Sequence, residues 1–165
     1  FLESYSFPPA VREKVKEEYP HLTQQQLTWV MEGLRHYFHL CNAAPNENLS
    51  MPSRAVDVAW HAFLLYTRIY ADFCDGALGR FRHHSPAGEN TVTKFTDGLK
   101  TSWRAACRWE GIDCKRPDRL PFLFAIDIAL VIPDGFAHDL ENNYAANEDI
   151  ESSEGSGCGG CDGCG

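Results

Sequence analysis

The feature that most constrains this chain is a row of ionisable residues within an otherwise apolar stretch, residues 51–86. The stretch is MPSRAVDVAWHAFLLYTRIYADFCDGALGRFRHHSP, and its apolar residues recur at helical spacing. A second row, formed by charged and imidazole side chains, falls on one side of the same helix: Asp57, His61, Arg68 and Asp72. Because a buried charge is costly unless it is paired, the row predicts an internal polar site.

The stretch predicts one long helix that starts near Pro52 and stops at the glycines of residues 76–79. Asp57 and His61 are one turn apart and can touch directly. One interpretation is a histidine that a carboxylate orients for metal binding or proton transfer. The other is an ordinary polar seam, in which the two aspartates of the row only satisfy His61 and Arg68.

The paired histidines His83 and His84 follow this helix in an irregular segment. Adjacent residues there point in different directions, so we expect only one of the two to share a site with His61. That site requires the segment to fold back along the helix. Cys74 is not expected to join it, because 13 helical residues separate the cysteine from His61 by about 20 Å.

Three runs of the sequence resemble bacterial proteins called glycine-rich domain-containing or glycine-rich-domain-like: MPSRAVDVAWHAFLLYTRIYADFC, GRFRHHSP and LPFLFAIDIALVIPDGF. The resemblance covers roughly residues 20–137, and its distinctive elements are Val-Asp followed by Trp-His, then Phe-Cys and His-His-Ser-Pro. It implies a common helical domain and supplies no reaction. Plant proteins of similar name share only a short Asp…Trp-His pattern in much longer chains.

The other helices of the predicted domain follow from their caps and apolar stripes. Residues 8–19 predict a short charged helix, and Thr23 with Gln26 predicts a capping box for the next one. A further helix is expected over residues 91–110, and the apolar run 119–132 favours a buried helix over a strand. The predicted fold class is all-α: a compact bundle of about five helices with a disordered Gly/Cys-rich C-terminal tail.

The apolar run contains a second buried charge, Asp127. Its natural partner across the core is Arg68 or His61, which with Asp57 makes one internal polar cluster and a set of candidate catalytic residues. The alternative is that Asp127 lies at the surface edge of its helix. A weaker candidate metal set lies on an earlier helix, where the i, i+4, i+7 spacing places three residues on one side that we expect to face solvent: Glu32, His36 and His39.

Length and composition indicate one domain, 1–140, followed by a tail, 141–165, that is acidic and then rich in glycine and cysteine. A hydrophobic fraction of 44% can supply a core, and a net charge of −8 argues against non-specific binding of nucleic acid. No apolar run reaches the roughly 18 residues needed to span a bilayer. The sequence contains no phosphate-binding loop, so no nucleotide cofactor is expected.

Cysteine usage favours a cytoplasmic protein. The chain has seven cysteines, and those within the domain lie on apolar faces or in a loop, where reduced thiols are commoner than disulfides. The first ten residues, FLESYSFPPA, lack the basic and apolar regions of a secretory signal. The sequence starts with Phe rather than Met, so trimming and upstream targeting stay open.

The tail carries two overlapping C-x-x-C pairs, formed by Cys158, Cys161 and Cys164. Thiolates at this spacing favour zinc or copper(I), and a fourth zinc ligand would come from Cys114, a histidine or another chain. The alternative is a flexible tail with incidental thiols. Dithiol exchange is less favoured, because exchange motifs begin a helix and this glycine-rich segment does not.

Three functions follow from these patterns. The first is a metal-binding accessory protein, whose helical domain docks a protein partner and whose tail holds a soft metal or zinc. The second is a metal-dependent or acid–base enzyme that uses His61 and Asp57, with His83 or His84 as a further ligand. The third is a non-catalytic interaction module in which these residues are structural.

Overall fold

The computed structural model describes residues 1–84 and 91–141. Within those ranges the chain forms six α-helices and a 3₁₀ turn at Leu2–Ser4, and it forms no strand. The helices are α1 (Pro9–Glu18), α2 (Gln24–Ala43), α3 (Arg54–Leu64), α4 (Thr67–Leu78), α5 (Thr91–Glu110) and α6 (Phe122–Ala129). The all-α prediction is therefore confirmed, whereas the predicted tail lies outside the described residues.

The helix that organises the domain is α2, which packs against each of the other five. Its start is the predicted capping box: Thr23 Oγ accepts from the amide of Gln26, and the Gln26 side chain accepts from the amide of Thr23. Gly33 lets α3 approach closely, because a Cβ at that position would lie 2.7 Å from a methyl of Val56. The helices α3 and α4 of the long predicted stretch thus pack onto α2, which is the centre of the bundle.

The single long helix predicted for this stretch is wrong, because the chain breaks between α3 and α4 at Leu65 and Tyr66. Tyr66 leaves the helical conformation with φ −86° and ψ 59°, and neither glycine nor proline is present to cause the break. The turn lets α4 bury Tyr70 and Phe73 in the core while Leu65 stays 78% exposed at the corner. Tertiary packing therefore overrides a helical pattern that continues without interruption. This break also accounts for six helices instead of about five.

An aromatic cluster joins α2, α3 and α4. Phe38, Phe63 and Phe73 are buried, and their ring centroids lie 4.7 to 6.4 Å apart. Edge-on contacts of this kind add stability beyond the apolar area that they bury. The cluster fixes α3 against α2, and so it fixes the direction in which the remaining face of α3 points.

The last two helices close the other side of the bundle. The α5 helix ends before Gly111, whose φ of +68° is the left-handed conformation that favours glycine. The run predicted as a buried helix is α6, which packs on both α2 and α5. Within the part of the chain that the structure describes, no helix combines the length and the apolar character needed to cross a membrane.

Candidate functional site

The candidate site begins on the first turns of α3. Ser53 caps the helix, since its Oγ accepts from the amide of Val56. Asp57 and His61 then lie one turn apart on the same face, with side chains 16% and 50% exposed. The carboxylate is therefore largely covered by protein, whereas the imidazole is half open to solvent.

The segment after α4 folds back along α3 and supplies the third residue. Its side chains alternate: Arg80, Arg82 and His84 are half-buried, whereas Phe81 and His83 are exposed. An extended chain points successive side chains to opposite sides, so the residues two apart face the same surface. This alternation selects His84, and not His83, as the partner of His61.

Hydrogen bonds with α2, with α4 and with the loop between α2 and α3 hold this returning segment in place. Arg80 donates to the carbonyl of Cys41 at 3.2 Å, and Arg82 donates to the carbonyl of Leu49 at 3.0 Å. Tyr70 donates to the carbonyl of Arg82 at 2.6 Å while its oxygen accepts from Trp60 Nε1 at 3.1 Å. Burial raises the pKa of the Tyr70 hydroxyl well above its usual value, so the hydroxyl remains a donor at neutral pH.

Asp57, His61 and His84 together form what we call the Asp-His-His cluster. Nε2 of His84 lies 3.1 Å from Asp57 Oδ1, and Nδ1 of His61 lies 3.3 Å from Asp57 Oδ2 and 2.8 Å from the Asp57 carbonyl oxygen. The two imidazole rings are 4.2 Å apart between centroids, and Trp60 packs edge-on against His84 at 4.5 Å. One ligand atom from each residue lies within 4.8 Å of the others.

These distances suit a transition-metal ion. Zinc binds imidazole nitrogen and carboxylate oxygen at about 2.0–2.2 Å, so two ligands of a tetrahedral ion lie roughly 3.3 Å apart. The cluster has the nitrogen and oxygen donors of a two-histidine, one-carboxylate site. The same contacts can also hold a proton between carboxylate and imidazole, so the cluster is able to bind a metal or to move a proton.

A positive side chain borders the Asp-His-His cluster. Arg54 Nη1 lies 3.6 Å from Asp57 Oδ2, and Arg54 Nε donates to Asp134 Oδ2 at 3.0 Å. Tyr19 donates to the other oxygen of Asp134 at 3.0 Å. Arg54 is thus shared between two carboxylates, and Asp134 can retain it when a cation binds at Asp57.

The predicted grouping of Asp127 with His61 and Arg68 is wrong. Asp127 is 3% exposed, and its carboxylate binds the beginning of α3 instead. Its four hydrogen bonds, 2.6 to 3.2 Å long, come from Ser53 Oγ and from the amides of Arg54, Ala55 and Phe136. An acidic group at a helix N-terminus satisfies free amides and complements the helix dipole, so Asp127 is a structural cap.

Arg68 and Asp72 do not continue the row that begins with Asp57 and His61. They lie on α4, after the break, and both are exposed. The predicted row depended on one uninterrupted helix, and the change of direction at Tyr66 separates its two halves. His83 also lies apart from the cluster, with its exposed ring packed against Phe81 at 4.8 Å.

The cysteines that the structure describes are free thiols: Cys41, Cys74, Cys107 and Cys114. Burial raises the pKa of Cys41 to about 11 and that of Cys107 to about 12. Both groups therefore stay protonated at neutral pH and are poor metal ligands. The three tail cysteines proposed as ligands, Cys158, Cys161 and Cys164, lie outside the described residues.

The second candidate metal set, formed by Glu32, His36 and His39, does not have the solvent-facing environment that was predicted for it. His36 and His39 do not face open solvent, because Trp109 of α5 and Phe122 at the start of α6 cover them in part. Among the described residues, the group whose ligand atoms lie within 4.8 Å of one another is the Asp-His-His cluster, and Glu32 with these two histidines does not meet that spacing.

Sequence reasoning missed the residues that hold His84 in place. Tyr70 and Trp60 appear in the sequence only as members of an apolar stripe, although their polar atoms anchor the returning segment. The alternation of Arg80-Phe81-Arg82 in the sequence is typical of an extended segment, but it would favour burial of Phe81, whereas the structure covers the arginine side.

A family model described as UCP032817-like matches residues 1–160 of the chain. Neither the curated proteins nor the solved structures gave a match. The comparisons support this family and do not support a glycine-rich domain name specifically.

Proposed function

Because this chain belongs to the UCP032817-like family, whose description carries no activity, we propose its function from side-chain geometry: it is a metal-binding protein. Its helical domain would hold a divalent first-row transition ion on Asp57, His61 and His84. The observation that carries the proposal is the convergence of their ligand atoms within 4.8 Å. Two segments of the chain supply these atoms, α3 and the segment after α4. Hydrogen bonds made by the carbonyl and the guanidinium of Arg82 hold the second segment in place.

An ion in this site would keep open coordination positions. Three protein ligands leave at least one position of a tetrahedral ion for water, and the half-exposed ring of His61 lies on the solvent side. This open position favours a second candidate function, in which the bound ion activates water for hydrolysis. In that case Asp57 would be a ligand rather than the general base, because its oxygens face the two imidazoles.

The tail supports the accessory role within the same proposal. Its three cysteines have the spacing of thiolate ligands and would prefer zinc or copper(I), whereas the domain cluster offers harder nitrogen and oxygen donors. We propose that the helical domain docks a protein partner in the reducing cytoplasm while the tail holds the softer ion. The support for the tail is the spacing of its three cysteines.

Cobalt(II) binding to the full-length protein under reducing conditions tests both sites at once. Thiolate ligation produces a near-ultraviolet charge-transfer band, whereas nitrogen and oxygen ligands give weak visible bands alone. We expect both signals in the wild type. The combined Cys158→Ser, Cys161→Ser and Cys164→Ser variant should abolish the charge-transfer band and leave the visible bands of the domain site. Adding Asp57→Asn to that variant should abolish those visible bands.

Arg68→Gln is the matched control, because Arg68 belonged to the same predicted row but lies on the exposed side of α4. It should leave both signals unchanged. Visible bands that survive Asp57→Asn in the protein without tail cysteines would refute the domain site. A charge-transfer band that survives the cysteine replacements would refute the tail site.

A further inference from the structure

A cavity beside α2 shares no residue with the Asp-His-His cluster and is not used by the proposed metal site. Its volume is about 260 Å³. We call it the imidazole cleft, and its walls include Glu3, Glu32, His36, His39, Trp109 and Phe122. It adjoins a cavity of about 340 Å³ through the shared residues Glu3 and His39.

Two imidazole nitrogens in this cleft are covered yet unsatisfied. Nε2 of His36 and Nε2 of His39 are buried and make no hydrogen bond. The latter lies 3.1 Å from Glu3 Oε1, but without the alignment of a hydrogen bond. A buried polar atom that lacks a partner costs free energy, so such an atom in the wall of a cavity indicates a position that a ligand group can satisfy.

The imidazole of His36 is neutral at physiological pH. Burial, with a smaller contribution from nearby His39, lowers the pKa of His36 to about 4. When the proton of this ring is on Nδ1, its Nε2 accepts a hydrogen bond. The cleft then presents an acceptor to a donor group.

Carboxylates dominate the charge of the cleft. The Glu3 and Glu32 side chains are 80% and 53% exposed at its rim. The guanidinium of Arg35 is already engaged: it lies 3.3 Å from Glu32 Oε2, donates to the Leu2 carbonyl and sits 5.6 Å from the Phe7 ring centre. Among the side chains of the cleft wall with a fixed charge, the two carboxylates outnumber the single arginine.

Aromatic rings complete the chemistry. Trp109 stacks on His39 at 5.0 Å between centroids and remains 50% exposed, and Phe122 stacks on His36 at 6.0 Å. Aromatic faces and carboxylates together attract organic cations, and tryptophan is the best such face. We propose that the imidazole cleft binds a small organic ammonium ion, with the ammonium at the carboxylates and imidazole nitrogens and the carbon body against Trp109.

The cleft is slightly smaller than the roughly 300–1,000 Å³ of common ligand pockets, so it suits a small amine. The amine can be a free metabolite or a side chain of a protein. The test uses phenethylammonium as the probe, with 2-phenylethanol and 3-phenylpropionate as neutral and anionic compounds that carry the same ring. Titrations of the full-length protein are followed by the imidazole and indole resonances in NMR.

We expect saturable binding of phenethylammonium that is at least tenfold tighter than binding of either control. The glutamate variants Glu3→Gln and Glu32→Gln should each weaken it about three- to fivefold, as expected for partly exposed charges. Trp109→Leu should weaken it at least fivefold. Trp29→Leu, which removes the half-exposed indole of α2 instead, should not weaken it. Equal binding of the alcohol, no saturable binding, or equal effects of the two tryptophan variants would overturn the proposal.

The same variants separate this cleft from the metal site. Trp109→Leu should leave the cobalt spectrum unchanged, and Asp57→Asn should leave amine binding unchanged. Once phenethylammonium is shown to bind, a lysine-containing tripeptide blocked at both ends is added as a competitor. The tripeptide should compete for the cleft when the natural ligand is a protein side chain. Failure of that peptide to compete would assign the cleft to a free amine.

Discussion

Two aspartates near the start of α3, Asp127 and Asp57, differ in how their carboxylate oxygens are used. Asp127 is buried and receives four hydrogen bonds from the chain around the start of α3. Asp57 lies one turn into that helix, and its oxygens face two imidazoles and the shared Arg54. The first carboxylate is saturated by backbone and hydroxyl donors, whereas the second contacts groups that can exchange a proton or ligate a metal.

The comparison teaches that burial alone does not identify a functional acid. The more buried aspartate is the structural one, because a carboxylate without water needs a complete set of donors to be stable. The less buried one can change its partners, since solvent reaches the edge of its cluster through His61. The contact partners of the two carboxylates therefore distinguish the structural aspartate from the functional one better than their exposed fractions do.

The largest expected effect comes from removing the structural carboxylate. Asp127→Ala leaves three amides and the Ser53 hydroxyl without their acceptor, and it should lower the free energy of unfolding by about 3–5 kcal/mol. Urea unfolding measures the change. Asp57→Ala is the control and should cost less than about 1 kcal/mol. Similar losses in the two variants would contradict the difference drawn between these aspartates.

A buried imidazole should make stability depend on pH. The pKa of His36 is about 4 in the folded protein against 6.5 for an ordinary histidine, so the unfolded chain takes up a proton that the folded one excludes. The contribution of the neutral His36 ring to the free energy of unfolding is complete above pH 6.5 and is lost as the pH falls toward 4. We expect a loss of about 2 kcal/mol, reduced from the full linkage value because the ring is partly exposed.

Urea unfolding of wild type and His36→Gln at pH 7 and pH 4.5 isolates this contribution. The variant should lose less stability between the two pH values, because glutamine does not titrate. Identical pH slopes for wild type and His36→Gln would show that this imidazole is not protected by the fold.

The hydroxyl of Tyr70 connects stability to the candidate site. Tyr70→Phe leaves the Arg82 carbonyl and the Trp60 indole without their partner, and it should cost about 1–2 kcal/mol. Because this carbonyl anchors the segment that carries His84, zinc affinity should fall about tenfold. Tyr66→Phe is the control on the preceding turn and should change neither quantity. Unchanged zinc affinity in Tyr70→Phe would show that the anchor does not position His84.

The smallest effect concerns the turn after Asp127. Val131 has a φ of 53°, a left-handed conformation that is unfavourable for a β-branched residue, and it is 76% exposed. The turn lets the amide of Ile132 reach the carbonyl of Asp127 at 2.9 Å. Val131→Gly should therefore raise the free energy of unfolding by about 1 kcal/mol without changing zinc affinity, and Val131→Ala should gain less. A loss of stability in Val131→Gly would show that the valine side chain contributes more than its strain costs.

Local signals in the sequence were sufficient for most of the helices. The Thr23–Gln26 capping box, the Gly111 stop and the apolar run of α6 each depend on neighbouring residues, and each is present in the structure. The break at Tyr66 was not predictable in this way, because no residue near it disfavours a helix. It results from packing of α4 against α2 and α3, which involves residues distant in sequence.

The candidate site was likewise predictable only where it depends on residues that are close in sequence. The contact of Asp57 with His61 follows from helical spacing, so sequence reasoning identified it. The contribution of His84 required the path of the returning segment, which Tyr70 and Arg82 determine. The cap formed by Asp127 was assigned incorrectly, because a buried charge indicates that a partner exists and does not indicate which one.

The most direct test of the central claim compares zinc affinity in two neighbouring histidine variants, His84→Ala and His83→Ala. Both are measured by competition with a chelator in full-length protein whose tail cysteines are replaced by serine. Loss of a ligand should weaken binding at least about 100-fold in His84→Ala, whereas His83→Ala should stay within about twofold of its parent. Equal affinities in the two variants would contradict a metal site built from Asp57, His61 and His84.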